Sequence, residues 1–235
     1  MKWRLLSIAL VLGFIGVIFT PGQPQITETN QRPVAIATLA CSNSLQVTSS
    51  GLVVDNGLVV TVAHAIFESR DFAIRDVDGH WHRGEVQHMD LARDLAVVRV
   101  PELTATRVEL AAGRAGNAVE LLNGAASGRL EGEIVRRVNI RTEVVGDLSS
   151  DSVRSGYEVE MDIVGGDSGA GIVDSDGDLV AIMFARSTSR EGVSWATSAT
   201  EVGTILRRSG VPEWECGPGT GAELVLEEAD EPRLP

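Results

Sequence analysis

From Pro33 onward the chain is a succession of short apolar runs closed by turn signals. Leu45 to Val54 alternates, meets the hairpin signal Asp55-Asn56-Gly57, and returns as Leu58 to Val62. Further runs are Pro33 to Leu39, Glu85 to Met89, and Leu95 to Val100 closed by Pro101. A second set comprises Ala118 to Leu122, Arg129 to Val138, Asn139 to Val145, Tyr157 to Ile163, Gly171 to Asp174, Leu179 to Phe184 and Gly192 to Ala196. These are too many short strands for one open sheet, and closure removes exposed edges, so the pattern predicts an all-β fold of two packed antiparallel β-barrels. The segment from Val108 to Asn117, with Gly113 and Gly116, is read as the crossing between them. One helix is predicted over Thr200 to Ser209, with Thr200 as its cap, Glu201 in the first turn, Arg207 and Arg208 in the last, and Gly210 as its stop.

The 235 residues suffice for one large domain or two small ones, and 43% are apolar. The net charge of −13 argues against nucleic acid as a partner, because binding a polyanion needs clustered Lys and Arg. Lys2 and Arg4 flank an uncharged apolar run from Leu5 to Phe19, with Pro21-Gly22 just beyond it. As a helix this run reaches roughly 22 Å, short of the roughly 30 Å hydrocarbon core, which favours a signal peptide. It lacks a small-x-small cleavage site, and Trp3 with Arg4 suits an interface, so an uncleaved anchor fits as well. Either way the positive flank predicts an extracytoplasmic location, secreted, periplasmic or anchored to the membrane by this segment. The expected organisation is 1–20 signal peptide or anchor, 21–32 linker, 33–216 folded domain and 217–235 acidic disordered tail.

Export changes the reading of Cys41 and Cys216, an even pair at the two ends of the folded region. A disulfide between them would close a loop of roughly 175 residues and contribute about 2–4 kcal/mol. Two free buried thiols are the alternative.

A serine hydroxyl becomes a nucleophile when an imidazole removes its proton, and a carboxylate fixes that imidazole's tautomer. The chain offers Thr61-Val62-Ala63-His64, then Arg93-Asp94-Leu95-Ala96-Val97-Val98, then Gly165-Gly166-Asp167-Ser168-Gly169. Asp90 competes with Asp94, but Asp94 directly precedes the strand Leu95 to Val100.

These three segments, in order and spacing, resemble the motifs of the chymotrypsin/trypsin-like serine peptidases over roughly residues 34 to 216, most of all the bacterial exported and membrane-associated ones. The resemblance implies a chymotrypsin-like fold of two six-stranded barrels with a C-terminal helix. It implies a serine endopeptidase acting through an acyl-enzyme, with His64 as base, Asp94 as its orienting partner and Ser168 as nucleophile. Backbone N–H groups of Gly166 and Ser168 would form the oxyanion hole, and Cys41 would pair with Cys216. Phe184-Ala185-Arg186-Ser187 resembles the substrate-flanking strand, and Asp162, six residues before Ser168, has the offset of the residue that selects Arg or Lys. The substrate pocket is thus expected at Asp162, Ala185 and Arg186, with a peptide or protein as substrate and no cofactor or metal. Asp162 as a plain surface residue of an acid–apolar alternation is the other reading.

The chain departs from the family in lacking an Ile-Val-Gly-Gly-like N-terminus for Asp167, and in having Gly169-Ala170-Gly171 where Gly-Gly-Pro is usual. The latter change bears on the order of the oxyanion hole. His80, His82 and His88 are read as part of an exposed hairpin tip rather than a metal patch, for want of carboxylates at ligand spacing. The competing function is a catalytically silent protease-like domain that binds peptides or envelope partners.

Overall fold

Strands such as Leu58–Thr61 and Leu95–Arg99 are apolar at almost every position, which a sheet with one wet face does not require. In the computed structural model both of their faces are covered. Val59, Ala96 and Val98 point into one barrel-like unit, whereas Val60, Leu95 and Val97 point out of it and pack on the second unit. The period of two is intact, but each face meets its own core. The structure describes residues 32–41, 45–125, 128–142 and 152–213. The proposed signal or anchor, most of the linker, Cys216 and the acidic tail lie outside them.

The first unit contains β1 (Arg32–Ala40), β2 (Leu45–Asp55), β3 (Leu58–Thr61), β4 (Ser69–Arg75), β5 (Trp81–Arg83), β6 (Glu85–Asp90) and β7 (Leu95–Arg99). The second contains β8 (Ala118–Asn123), β9 (Gly128–Thr142), β10 (Ser152–Glu160), β11 (Gly171–Val173), β12 (Leu179–Arg186) and β13 (Val193–Ser198), followed by α1 (Ala199–Ile205). All named ladders are antiparallel. The second unit closes as a six-stranded barrel in the order β10-β13-β12-β11-β8-β9.

The first unit is a seven-stranded sheet, β5-β4-β1-β2-β3-β7-β6, where six strands were expected. Its two edges, β5 and β6, are consecutive pieces of one segment separated by Gly84 alone. The sheet therefore curls until a single bent strand pairs with β4 at its start and with β7 at its end. A Cβ at Gly84 would lie 2.5 Å from Val98 and 2.9 Å from Phe72, so the close approach at this corner requires glycine. Counted as one bent strand, β5 and β6 restore the number six.

Three further expectations shift. β9 runs unbroken through Asn139, since its first half pairs with β8 and its second half with β10. Ser69–Arg75 and Trp81–Arg83 are strands; the turn of that hairpin is Val77–Gly79, and His82 lies within β5. The helix begins at Ala199 because Ser198 is still paired in β13, which makes Ser198 and not Thr200 its N-cap, without a side-chain capping bond. Val202 and Ile205 bury against Leu52, Val62 and Leu95 at the junction of the two units. Among the described residues no helix is long and apolar enough to cross a membrane.

Candidate active site

His64 lies in a 3₁₀ turn (Ala63–Ala65) directly after β3, and Asp94 in the turn between β6 and β7. Both elements belong to the first unit, and β3 pairs with β7 along Leu58–Thr61, which brings the strand ends together. Asp94 adopts φ 53°, a left-handed conformation that Asp tolerates better than most residues. Its Oδ1 accepts the backbone N–H of His64 at 2.9 Å, and its two oxygens stand 3.0 and 2.8 Å from His64 Nδ1. A carboxylate only accepts, so Nδ1 carries the proton and Nε2 of the neutral ring is left as a base. Asp90 is engaged elsewhere: Arg93 donates to it from Nη1 at 2.7 Å and from its backbone N–H at 2.9 Å. The geometry thus separates the two aspartates: Asp94 meets His64, and Asp90 meets Arg93.

Ser168 comes from the second unit, in the loop before β11. Its hydroxyl donates to the carbonyl of Phe184 on β12 at 3.3 Å, and among the described residues it makes no hydrogen bond to His64. The structure therefore brings His64 and Asp94 into contact and leaves Ser168 turned to the neighbouring strand. The N–H groups of Gly166 and Ser168 have no hydrogen-bond partner among the described residues, so both donors remain for a ligand. Gly166 has φ 101°. Gly169 has φ 87°, and a Cβ there would fall 2.0 Å from the Ser50 carbonyl oxygen. Only glycine fits at that position.

Ala170, the departure from the family pattern, is fully buried in the second barrel's core. Its N–H donates to Asp167 O at 3.0 Å and its carbonyl accepts Met183 N–H at 2.9 Å, so the turn after the serine is ordered without proline. A Cβ on Gly171 would meet Leu52 of the first unit at 2.7 Å.

Asp167 is fully buried, and burial pushes its carboxyl up, opposed by the Val164 N–H that donates to it at 2.6 Å. Asn123 Nδ2 donates to its other oxygen. An uncharged amide thus meets Asp167 here. Ser50 ties this cluster to the first unit. Its N–H donates to Ser168 O at 2.7 Å, while its hydroxyl lies 2.8 Å from Gly166 O and accepts the N–H groups of Gly124 and Ala125. Thr61 fixes the Ser50 carbonyl at 2.6 Å. Sequence reasoning missed Ser50 and Asn123; the one trace of Ser50 is the small run Ser49-Ser50-Gly51, which interrupts the alternation of β2, and Asn123 leaves none.

Asp162 is exposed just beyond β10. Its neighbour Met161 bonds through its carbonyl to Ser194 Oγ at 2.7 Å, and Ser194 pairs with Arg186, next to Ala185 on β12. All three expected pocket residues therefore share one end of the second barrel. Cys41 follows β1, and its expected partner Cys216 lies outside the described residues. His82 bonds Asp76 at 2.8 Å with His80 at 3.7 Å from it, whereas His88 bonds the Gly210 carbonyl. Among the described residues no group of three or more His, Cys, Asp or Glu is arranged to hold a metal.

A sequence model of the trypsin-like peptidase domain matches residues 49–182. Two curated relatives, the serine proteases Rv3671c and MT3772 of Mycobacterium tuberculosis strains, are each 26% identical over 207 residues, covering 85% of this chain and 50% of theirs. The chain thus spans about half the length of these curated relatives. Among solved structures, the active form of the Rv3671c protease from M. tuberculosis superposes with TM-score 0.70 at 20% identity, covering 80% of this chain and 86% of that one. An HtrA-type protease with a tripeptide gives 0.60 at 19%, over 74% and 58%. At these identities the superpositions speak for the fold.

Proposed function

Because the chain belongs to the trypsin-like peptidase family, we propose that it is a serine endopeptidase in which His64 is the general base, Asp94 its orienting partner and Ser168 the nucleophile. The observation that carries this reading is the double hold of Asp94 on His64, ring and backbone together, beside a loop with two unengaged N–H donors. The Ser168 hydroxyl first rotates from the Phe184 carbonyl to His64 Nε2, which takes its proton as Oγ attacks the substrate carbonyl carbon. The resulting oxyanion is held by the N–H groups of Gly166 and Ser168. His64 then gives its proton to the leaving amine, the C–N bond breaks, and an acyl-enzyme remains. Water attacks that ester by the same proton path and frees Ser168.

The substrate is a peptide or protein entering along β12. Asp162, Ala185 and Arg186 contribute its pocket, with a preference for Arg or Lys. Peptides matched except at the residue before the scissile bond test this; equal cleavage of all, or no loss on Asp162→Ser, removes the assignment. The site works outside the cytoplasm, delivered by residues 1–20 as signal or anchor and stapled by a Cys41–Cys216 disulfide. Support for that placement is the positive flank at Lys2 and Arg4 and the even cysteine pair.

A fluorophosphonate probe on wild type and Ser168→Ala is the test. Labelling of wild type lost in the variant supports the reading, and labelling that persists in Ser168→Ala moves the nucleophile elsewhere. A folded wild type that never reacts favours the silent peptide-binding domain.

A further inference from the structure

Among the described residues the largest fully buried side chain is a cation: Arg154, on β10, is 1% exposed. Its guanidinium carbon Cζ lies over the face of the Phe184 ring, 4.3 Å from the centroid, and Nη1 reaches the carbonyl of Ala92 at 3.5 Å. Nη2 stands 3.9 Å from Asp94 Oδ2, and among the described residues Nε and Nη2 have no hydrogen-bond partner.

Three carboxylates face this cation. Asp90, the last residue of β6, is held by Arg93 at 2.7 Å with Arg208, beyond α1, at 3.8 Å; Glu201 of α1 is held by Arg93 at 2.8 Å and by the Ser155 N–H at 2.9 Å. Among the described residues, Asp94 alone has no other cation except His64 when protonated. Burial lowers the Arg154 pKa, against the pull of Asp94, Glu201 and Asp90, yet guanidinium remains charged at any working pH.

We propose that Arg154 is a positioning residue of the catalytic site, resting on the serine-protease reading above. Its planar cation clamps Asp94 of the first unit and Phe184 of the second from behind, joining the base's partner to the strand whose carbonyl receives the Ser168 hydroxyl. It also offsets part of the Asp94 charge that His64 feels. Stacking on Phe184 fixes the ring and hence the backbone of residue 184. The same charge opposes part of the attraction that Asp94 exerts on the cation formed at His64 when it takes the serine proton.

The readout is the pH dependence of the second-order labelling rate with a fluorophosphonate, in wild type, Arg154→Met, Arg154→Gln and Arg154→Lys. Removing the charge is expected to move the acid limb up by about one pH unit, the size of a unit charge acting across one intervening carboxylate. The plateau rate should fall tenfold or more in Met and Gln. Gln keeps a donor for Ala92 and serves if Met does not fold. Lys keeps the charge without the planar stack: its limb should stay at the wild-type pH while its plateau rate falls. A wild type labelled at Ser168 whose Met or Gln variant keeps the limb in place overturns the inference and leaves the function standing. A wild type never labelled at Ser168 overturns both.

Discussion

Replacing Asp94 by Asn tests the core of the site with a change of one atom. The His64 backbone N–H donates to Oδ1 at 2.9 Å, so the amide oxygen is pinned there and the NH₂ takes the place of Oδ2, the atom nearest His64 Nδ1 at 2.8 Å. A donor now faces a donor. The ring responds by placing its proton on Nε2, where it no longer accepts from Ser168. The charge that stabilises imidazolium is lost as well, about 2–4 kcal/mol for a half-screened pair. Together these predict a 10³- to 10⁴-fold fall in kcat/KM, about 4–5.5 kcal/mol of transition-state stabilisation. Stability falls too, by about 1–2 kcal/mol, because Arg154 loses its nearest countercharge. Peptide hydrolysis and probe labelling give the rate, and thermal unfolding gives the folded fraction. A folded variant within tenfold of wild type refutes the assignment of Asp94.

Two further outcomes test the fold itself. Gly84→Ala inserts a methyl 2.5 Å from Val98 and 2.9 Å from Phe72 at the barrel corner; overpacking of about 1–3 kcal/mol should lower Tm by roughly 3–10 °C, and an unchanged Tm would show that the corner yields freely. Arg190 and then Arg136 hold the Glu158 carboxyl below its ordinary range against the opposing effect of burial. The stability gained is present above the ordinary carboxyl pKa and lost as pH falls through the lowered one. Glu158→Gln should therefore unfold at lower temperature than wild type near neutrality and approach it as pH falls below the ordinary carboxyl range, and a gap that does not narrow with falling pH would contradict the pairing.

What the sequence carried was local and periodic. Turn dipeptides such as Asn56-Gly57 and the two-residue alternation placed most strands, because backbone pleat and turn sterics act over a few neighbours. The segments around His64, Asp94 and Ser168 were legible for the same reason: each is a short run at a strand end. Tertiary structure decided what depends on residues far apart in the chain. Gly84 looks like an ordinary loop glycine until β4 and β7 close on it, and β5 with β6 becomes one bent strand. Asn139 reads as a break until two different partners pair with the two halves of β9. Ser50, Asn123 and Arg154 carry no motif, since a buried polar side chain is defined by what surrounds it. For Arg154 those surroundings come from the Asp94 turn, from β12 and from the C-terminal helix. No local pattern records that meeting, because packing of the two units alone brings those segments together.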